Sequence, residues 1–333
     1  MLCRVGVIGC RGIGIAHAQG VVGLDNAGLV AACDLAEEEL DRFQDRWKDT
    51  WPAIARYNNH KEMLEKEQLD IVTVATSDHR HADLVVDAAE AGAKGIFCEK
   101  PLATTVADAD RMIEACERHN TILSVDHTRR FQPVWRYGKE EIIDKGVIGP
   151  VQYVTGTLSG ERAMLFRNGT HTIDAICYYA DAAPEWVMAD LEIGYEDYHE
   201  YRGDGGHVPA TEPGAYGFIR FANGVRGFYV GGSKQTPLPK QRMEVVGTKG
   251  RIFFDSSDTI LLYRGKETES IQVPEWPVSG IPAGVQELVR LVDQGGEPVS
   301  PGRVGHMVVE IMIGFLESQR HGNAPMRLPL SRP

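Results

Sequence analysis

The stretch Val5-Gly6-Val7-Ile8-Gly9-Cys10-Arg11-Gly12-Ile13-Gly14 decides the fold. It reads as a short apolar strand, a glycine turn and the opening of a helix over Ile13–Val22. Backbone N–H groups and the helix dipole at such a turn can hold a diphosphate, and small residues let the helix pack closely on the strand. Gly9, Arg11, Gly12, Ile13 and Gly14 are therefore candidate dinucleotide-binding positions. Arg11 stands where the usual second glycine of Gly-x-Gly-x-x-Gly lies. Either Arg11 points outward and covers the phosphate or adenine, or the loop is shifted by one residue. A second strand, Leu29–Cys33, ends at Asp34, which lies 20 residues after Gly14. An acid there accepts hydrogen bonds from the adenosine ribose. With no arginine following, Asp34 favours NAD over NADP because a carboxylate repels a 2′-phosphate; Arg11 partly offsets this.

Outward from the turn, strand and helix signals alternate over about the first 125 residues. Helices are expected at Glu37–Arg46, Lys61–Glu67, Ala82–Ala91 and from Thr105 onward, where Asp108 completes a capping-box variant. Strands are expected at Ile71–Ala75, Gly95–Cys98 and Ile122–Val125. Short apolar strands between helices imply a parallel sheet covered on both faces, with strand ends and ligand on one edge.

After about residue 150 the pattern changes. Strands are expected at Val151–Leu158, Trp186–Tyr195, Tyr216–Phe221, Val225–Val230, Arg242–Val246, Arg251–Phe254 and Thr259–Tyr263. One helix, Thr170–Tyr179, interrupts them. Asn223-Gly224 and Lys249-Gly250 read as hairpin turns. Gly203–Gly206 and Thr236–Pro239 read as loops, and Tyr195–Tyr201 as a loop or strand edge. Helices over Val285–Val292 and Val304–Arg320 precede an extended Leu328-Pro329-Leu330. The expected class is α/β: a dinucleotide-binding domain over 1–126, then an α+β domain over 127–333 with a large, mostly antiparallel open sheet. The final segment is a candidate to pack back on the first domain.

Composition narrows the function. Apolar content of 43% and charged content of 25% in 333 residues are those of a soluble globular protein. The formal charge, 35 − 47 = −12, argues against nonspecific nucleic-acid binding. The six scattered cysteines form no Cys-x-x-Cys pair, so reduced thiols are expected rather than disulfides or zinc. His79 and His81 lie on different faces of a helix start without cysteine or acidic companions, so no metal site is expected. No signal peptide or membrane span is read, which makes a cytoplasmic enzyme the default.

Glu99-Lys100-Pro101 follows a later strand, about ninety residues from the glycine turn. That position is the nicotinamide end of such a cofactor, so Glu99 and Lys100 join the candidate cofactor residues. Together with Thr76-Ser77-Asp78-His79-Arg80-His81 and Asn168-Gly169-Thr170-His171-Thr172-Ile173-Asp174, this step resembles the Gfo/Idh/MocA family of oxidoreductases. The resemblance spans nearly the whole chain. It implies a Rossmann domain, a second domain with an open antiparallel sheet, and a homodimer or homotetramer formed through that sheet. It makes Lys100 the proton-handling residue and His171 the active-site histidine, with Thr76, Ser77 and His81 near the nicotinamide half. Physics agrees about the lysine: loss of hydride from a secondary alcohol requires loss of the hydroxyl proton, and a desolvated lysine beside a cationic ring is a stronger acid than one in water. Pro101 restricts Lys100 to extended backbone.

Asp174 lies one turn after His171 on the same face and is a candidate substrate residue. The family's arginine-aromatic step matches Arg130-Phe131, and Arg130 either touches substrate or anchors the domain junction. Polyol dehydrogenases of the family often carry an aspartate four residues before the histidine. Arg167 stands there, able to bind an anionic substrate group bidentately. The expected activity is hydride transfer between nicotinamide and a hydroxyl or keto carbon of a sugar, inositol or sugar derivative. The rivals are an NAD-retaining glycosidase-type enzyme and a non-catalytic dinucleotide sensor.

Overall fold

A computed structural model of the chain describes residues 2–232, 234, 241–255 and 257–332. The expected loop Thr236–Pro239 lies outside them. The chain divides into two compact units, Met1–Thr128 with Val278–His306, and Arg129–Pro277 with Met307–Pro333.

The first unit alternates β1 (Cys3–Ile8), α1 (Gly12–Gln19), β2 (Ala27–Cys33), α2 (Glu37–Trp47), β3 (Ala55–Tyr57), α3 (His60–Glu67), β4 (Ile71–Val74), α4 (His81–Glu90), β5 (Gly95–Cys98), α5 (Val106–His119) and β6 (Ile122–Val125). The strands form one parallel sheet in the order β3-β2-β1-β4-β5-β6. This is the doubly wound order, with its switch point between β1 and β4. The central strands are buried on both faces, which is why β4 (Ile-Val-Thr-Val) and β5 (Gly-Ile-Phe-Cys) carry no charge. Helix α2 buries Leu40, Phe43 and Trp47 and opens with Glu37, Glu38 and Glu39, whose charges suit a helix N-terminus. Thr105 caps α5 by accepting from the N–H of Asp108 at 3.0 Å, as the capping pattern predicts.

The second unit begins with the short helix α6 (Pro133–Tyr137), then β7 (Val151–Leu158), α7 (Gly169–Ala180), β8 (Pro184–Leu191), β9 (Ala215–Phe221), β10 (Arg226–Val230), β11 (Gln241–Gly247), β12 (Arg251–Asp255), β13 (Thr259–Arg264) and β14 (Glu267–Gln272). The chain closes with α8 (Ile281–Gln294), α9 (Gly302–Arg320) and β15 (Met326–Arg327). The sheet order is β14-β13-β12-β11-β7-β10-β9-β8-β15. Its pairings are antiparallel except β7 with β10. Helix α7 lies close against one face because β7 and β10 carry glycine beneath it. A Cβ at Gly156 would sit 2.6 Å from Thr172, and one at Gly227 would sit 2.7 Å from Ile176. The other face carries a half-exposed aromatic row: Trp186 stacks on Phe218, which meets Phe228 edge-on, which meets Tyr153.

Both expected hairpins form, Asn223-Gly224 between β9 and β10 and Lys249-Gly250 between β11 and β12. Some boundaries differ from expectation. The strand expected to reach Tyr195 ends at Leu191, before a turn with Gly194 at φ +92°. Of its two readings, Tyr195–Tyr201 takes the loop. Leu328–Leu330 follows β15 directly. The expected division at 126/127 falls instead after Thr128, and residues 278–306 return to the first unit. The return has a packing cause. Helix α8 buries Val285, Leu288, Val289 and Leu291. A Cβ at Gly20, just after α1, would sit 2.6 Å from Val285, and one at Gly95 of β5 would sit 2.8 Å from Val292. Those glycines leave a face that α8 fills.

Candidate active site

Parallel register places five strand ends on one edge: Ile8 is level with Cys33 and Val74, Val74 with Cys98, and Cys98 with Val125. Gly9, Asp34, Thr76, Glu99 and Asp126 all follow on that edge. Gly9 has φ +94°, and a Cβ there would lie 2.2 Å from the Ala75 carbonyl oxygen. A Cβ on Gly14 would lie 1.7 Å from the Gly9 oxygen, so α1 packs on the turn only with glycine at that position. At Gly12 a Cβ would meet nothing within 4 Å, which leaves the start of α1 open, flanked by Ile13 at 44% exposure. Arg11 precedes α1, its side chain is 71% exposed, and Nε lies 3.7 Å from Glu39. Asp34 accepts from the backbone N–H of Cys10 at 2.8 Å and of Ala36 at 3.0 Å, bracing the turn. These residues fit a dinucleotide: the diphosphate at the start of α1 and the ribose at Asp34.

At the other end, the Lys100 N–H donates to Glu99 Oε2 at 3.3 Å, and Nζ lies 3.9 Å from the same oxygen. The Lys100–Pro101 peptide is cis. Glu99 sits in a buried group with His17 and Asp126, whose ligand-type atoms all lie within 4.8 Å of one another. His17 Nε2 is 3.6 Å from Glu99 Oε1. Burial alone would raise the Glu99 carboxyl, but the His17 ring 3.6 Å away and the Lys100 charge outweigh it and hold the group down at about 2. Burial and the Glu99 charge push Asp126 far above the carboxylate range.

His81, a candidate for the nicotinamide half, packs inward. Its ring is fully buried, with Nδ1 3.0 Å from the Pro101 oxygen and Nε2 3.4 Å from the Thr76 oxygen. It ties the end of β4 to the Lys100-Pro101 segment. Thr76 and Ser77 remain on the open edge, with Thr76 Oγ1 donating to the Ser77 oxygen at 3.4 Å.

In the second unit, His171 lies in the first turn of α7, 8% exposed, one turn before Asp174. Asp174 is fully buried and takes Arg130 Nε at 2.9 Å on both oxygens. The Arg130 guanidinium also lies 4.4 Å from the centre of the Tyr178 ring. Burial works against the Arg130 charge, but Asp174 outweighs it and holds the guanidinium above its usual range. The pair ties α7 to the segment that carries Arg130, within the second unit. Removing one partner leaves a buried charge unpaired, so Asp174→Ala is expected to cost about 3–5 kcal/mol, while Arg130→Met with Asp174→Leu costs less than the single change. Denaturant unfolding of the two variants against the native chain checks this; equal losses would refute the pairing cost.

Arg167, ahead of α7, is also charge-paired. Its Nε is 4.0 Å from Glu212, a buried carboxylate that accepts the N–H groups of Phe166 and Arg167 at 2.9 and 3.0 Å. An anionic substrate group would compete with Glu212 there. Three residues escaped the sequence reading: His17, Asp126 and Glu212. A signal existed only for His17, which lies on the face of α1 packed toward the sheet.

Comparison with known proteins follows the same lines. Residues 3–127 match the oxidoreductase family with an NAD-binding Rossmann fold, and residues 140–253 match the GFO/IDH/MocA C-terminal domain. The chain is 32% identical over 269 residues to myo-inositol 2-dehydrogenase of Thermotoga maritima, covering 76% of this chain and 75% of that protein. It is 26% identical over 354 residues to scyllo-inositol 2-dehydrogenase (NAD(+)) of Bacillus subtilis, covering 99% and 97%. Levoglucosan dehydrogenase, solved with NADH and levoglucosan, shares the fold with a TM-score of 0.81 over 99% of this chain and 100% of that one, at 20% identity. With both domains matched and the strand-edge residues in place, the chain belongs to the Gfo/Idh/MocA family of oxidoreductases.

Proposed function

We propose that this NAD-dependent oxidoreductase acts on a CH–OH carbon of an inositol, a sugar or a sugar derivative, with Lys100 and His171 handling the hydroxyl proton. The observation that carries the reading is Lys100 at the end of β5, on the strand edge that also holds the open glycine turn. The inositol 2-dehydrogenase relatives supply the substrate class. When bound, NAD supplies hydride acceptance and release. The chain's own residues position it: the start of α1 holds the diphosphate, Asp34 the ribose, and Thr76, Ser77 and Glu99 the nicotinamide end. Lys100 takes the substrate's hydroxyl proton as oxidation proceeds and returns it in reduction.

Asp34 supports NAD over NADP. The aromatic outer face of the second sheet, with Met188 and Tyr216 at 38% and 48% exposure, supports pairing of two or four copies. Light scattering is expected to give a dimer or tetramer for the native chain and a smaller species for Phe218→Arg; a native monomer would overturn it. No described helix is long and apolar enough to cross a membrane, and a cytoplasmic location is part of the reading.

The test is reduced-nicotinamide absorbance, with NAD and then NADP, against inositols, sugars and sugar acids. A rise with NAD and a neutral polyol is expected. A rise only with sugar acids would shift weight to Arg167 as an anion site. Silence across the panel with cofactor bound would refute the redox reading.

A further inference from the structure

The buried group beneath Lys100 has no role in hydride transfer as described. Asp126 is fully buried and Glu99 is 8% exposed. Asp126 Oδ1 accepts from Thr128 Oγ1 at 3.2 Å. Asp126 Oδ2 and Glu99 Oε1 are buried with no other protein donor within hydrogen-bond distance. The fully buried His17 ring faces the same space, neither of its nitrogens hydrogen-bonded. Lys100 Nζ lies 3.9 Å from Glu99 Oε2. Two carboxyl groups buried this close together do not both ionise, and a carboxylate accepts from a carboxyl only when the latter carries the proton.

We infer that Asp126 is a positioning residue: its carboxyl carries a proton, donates it in a hydrogen bond toward Glu99, and thereby holds a single anion beside Lys100. The inference rests on Lys100 as the proton-handling residue. One carboxylate at 3.9 Å favours the ammonium form of Lys100; a second would bind the ammonium proton more tightly and obstruct its release. The direction of the shifts agrees, with Glu99 held down at about 2 and Asp126 pushed up. The groups facing Asp126 are Glu99 and Lys100 from β5 and its end, His17 from α1, and Thr128 on its own segment. A divalent cation would instead need both carboxyls ionised.

Two measurements test this. Infrared difference spectroscopy of the native chain near neutral pH is expected to show a protonated carboxylic acid band that Asp126→Asn removes and Lys100→Met retains. The pH profile of kcat/KM is the second. Asn also offers an N–H donor to Glu99, so Asp126→Asn is expected to keep the acid limb near its native place with less than a tenfold loss in kcat, whereas Asp126→Leu moves the limb and loses more. Absence of the band, a band that survives in Asp126→Asn, or a stoichiometric metal ion in the purified protein would overturn the inference. If Asp126→Leu does not fold, the infrared arm still decides. Full activity of Lys100→Met with the band present would refute the lysine role and leave the protonation of Asp126 standing.

Discussion

Lys100→Met is expected to lower kcat by about 10²–10⁴, the usual span for a proton-transfer residue, while NAD still binds. Met keeps the length and apolar stem of the side chain and removes only the ammonium, so loss of packing does not explain the fall. Lys100 is 14% exposed at the side chain and its charge faces Glu99, so removing it leaves Glu99 as a less compensated anion. Some loss of stability is therefore expected alongside the kinetic loss. Nicotinamide absorbance in steady state and a binding isotherm for NAD separate the two. Turnover within threefold of native would remove Lys100 from the chemistry.

The second large effect is at the turn. Gly14→Ala places a Cβ 1.7 Å from the Gly9 carbonyl oxygen. That neighbour is backbone and cannot rotate away, so α1 must lift from β1. Overpacking of this kind costs about 1–3 kcal/mol, and the displaced helix start is expected to weaken NAD binding at least tenfold. Gly12→Ala is the informative partner. Its Cβ meets no protein atom within 4 Å, so the melting temperature is expected to hold while NAD affinity falls, because the methyl enters the space assigned to the diphosphate. Calorimetry on both variants checks this. Undiminished affinity in Gly12→Ala would move the diphosphate elsewhere.

The turn was legible in the sequence because its constraint is written in residue type: only glycine tolerates the φ of Gly9 and the approach at Gly14. The strands β5, β6 and β7 were legible to the residue because they are apolar or strictly alternating and end at clear punctuation. The strand β14, Glu-Thr-Glu-Ser-Ile-Gln, was not: as an exposed edge it buries almost nothing and shows no pattern to read. The three-residue β3 and the short α6 are too brief for a period to emerge. Among the candidate site residues, Lys100 and His171 stood out through their motifs. The grouping of His17, Glu99 and Asp126 joins residues that only the strand order brings together, and no local spacing encodes it. Arg130 with Asp174 is the same case: each residue was visible, their pairing was not.

The return of residues 278–306 to the first unit has a consequence for synthesis. The dinucleotide-binding half is discontinuous in sequence. Until Val285 and Leu288 leave the ribosome, the faces of α1 and β5 around Gly20 and Gly95 have nothing to cover them. The nascent chain must therefore carry an open apolar groove while β7 to β14 of the second sheet are made, and the first half matures only near the end of translation.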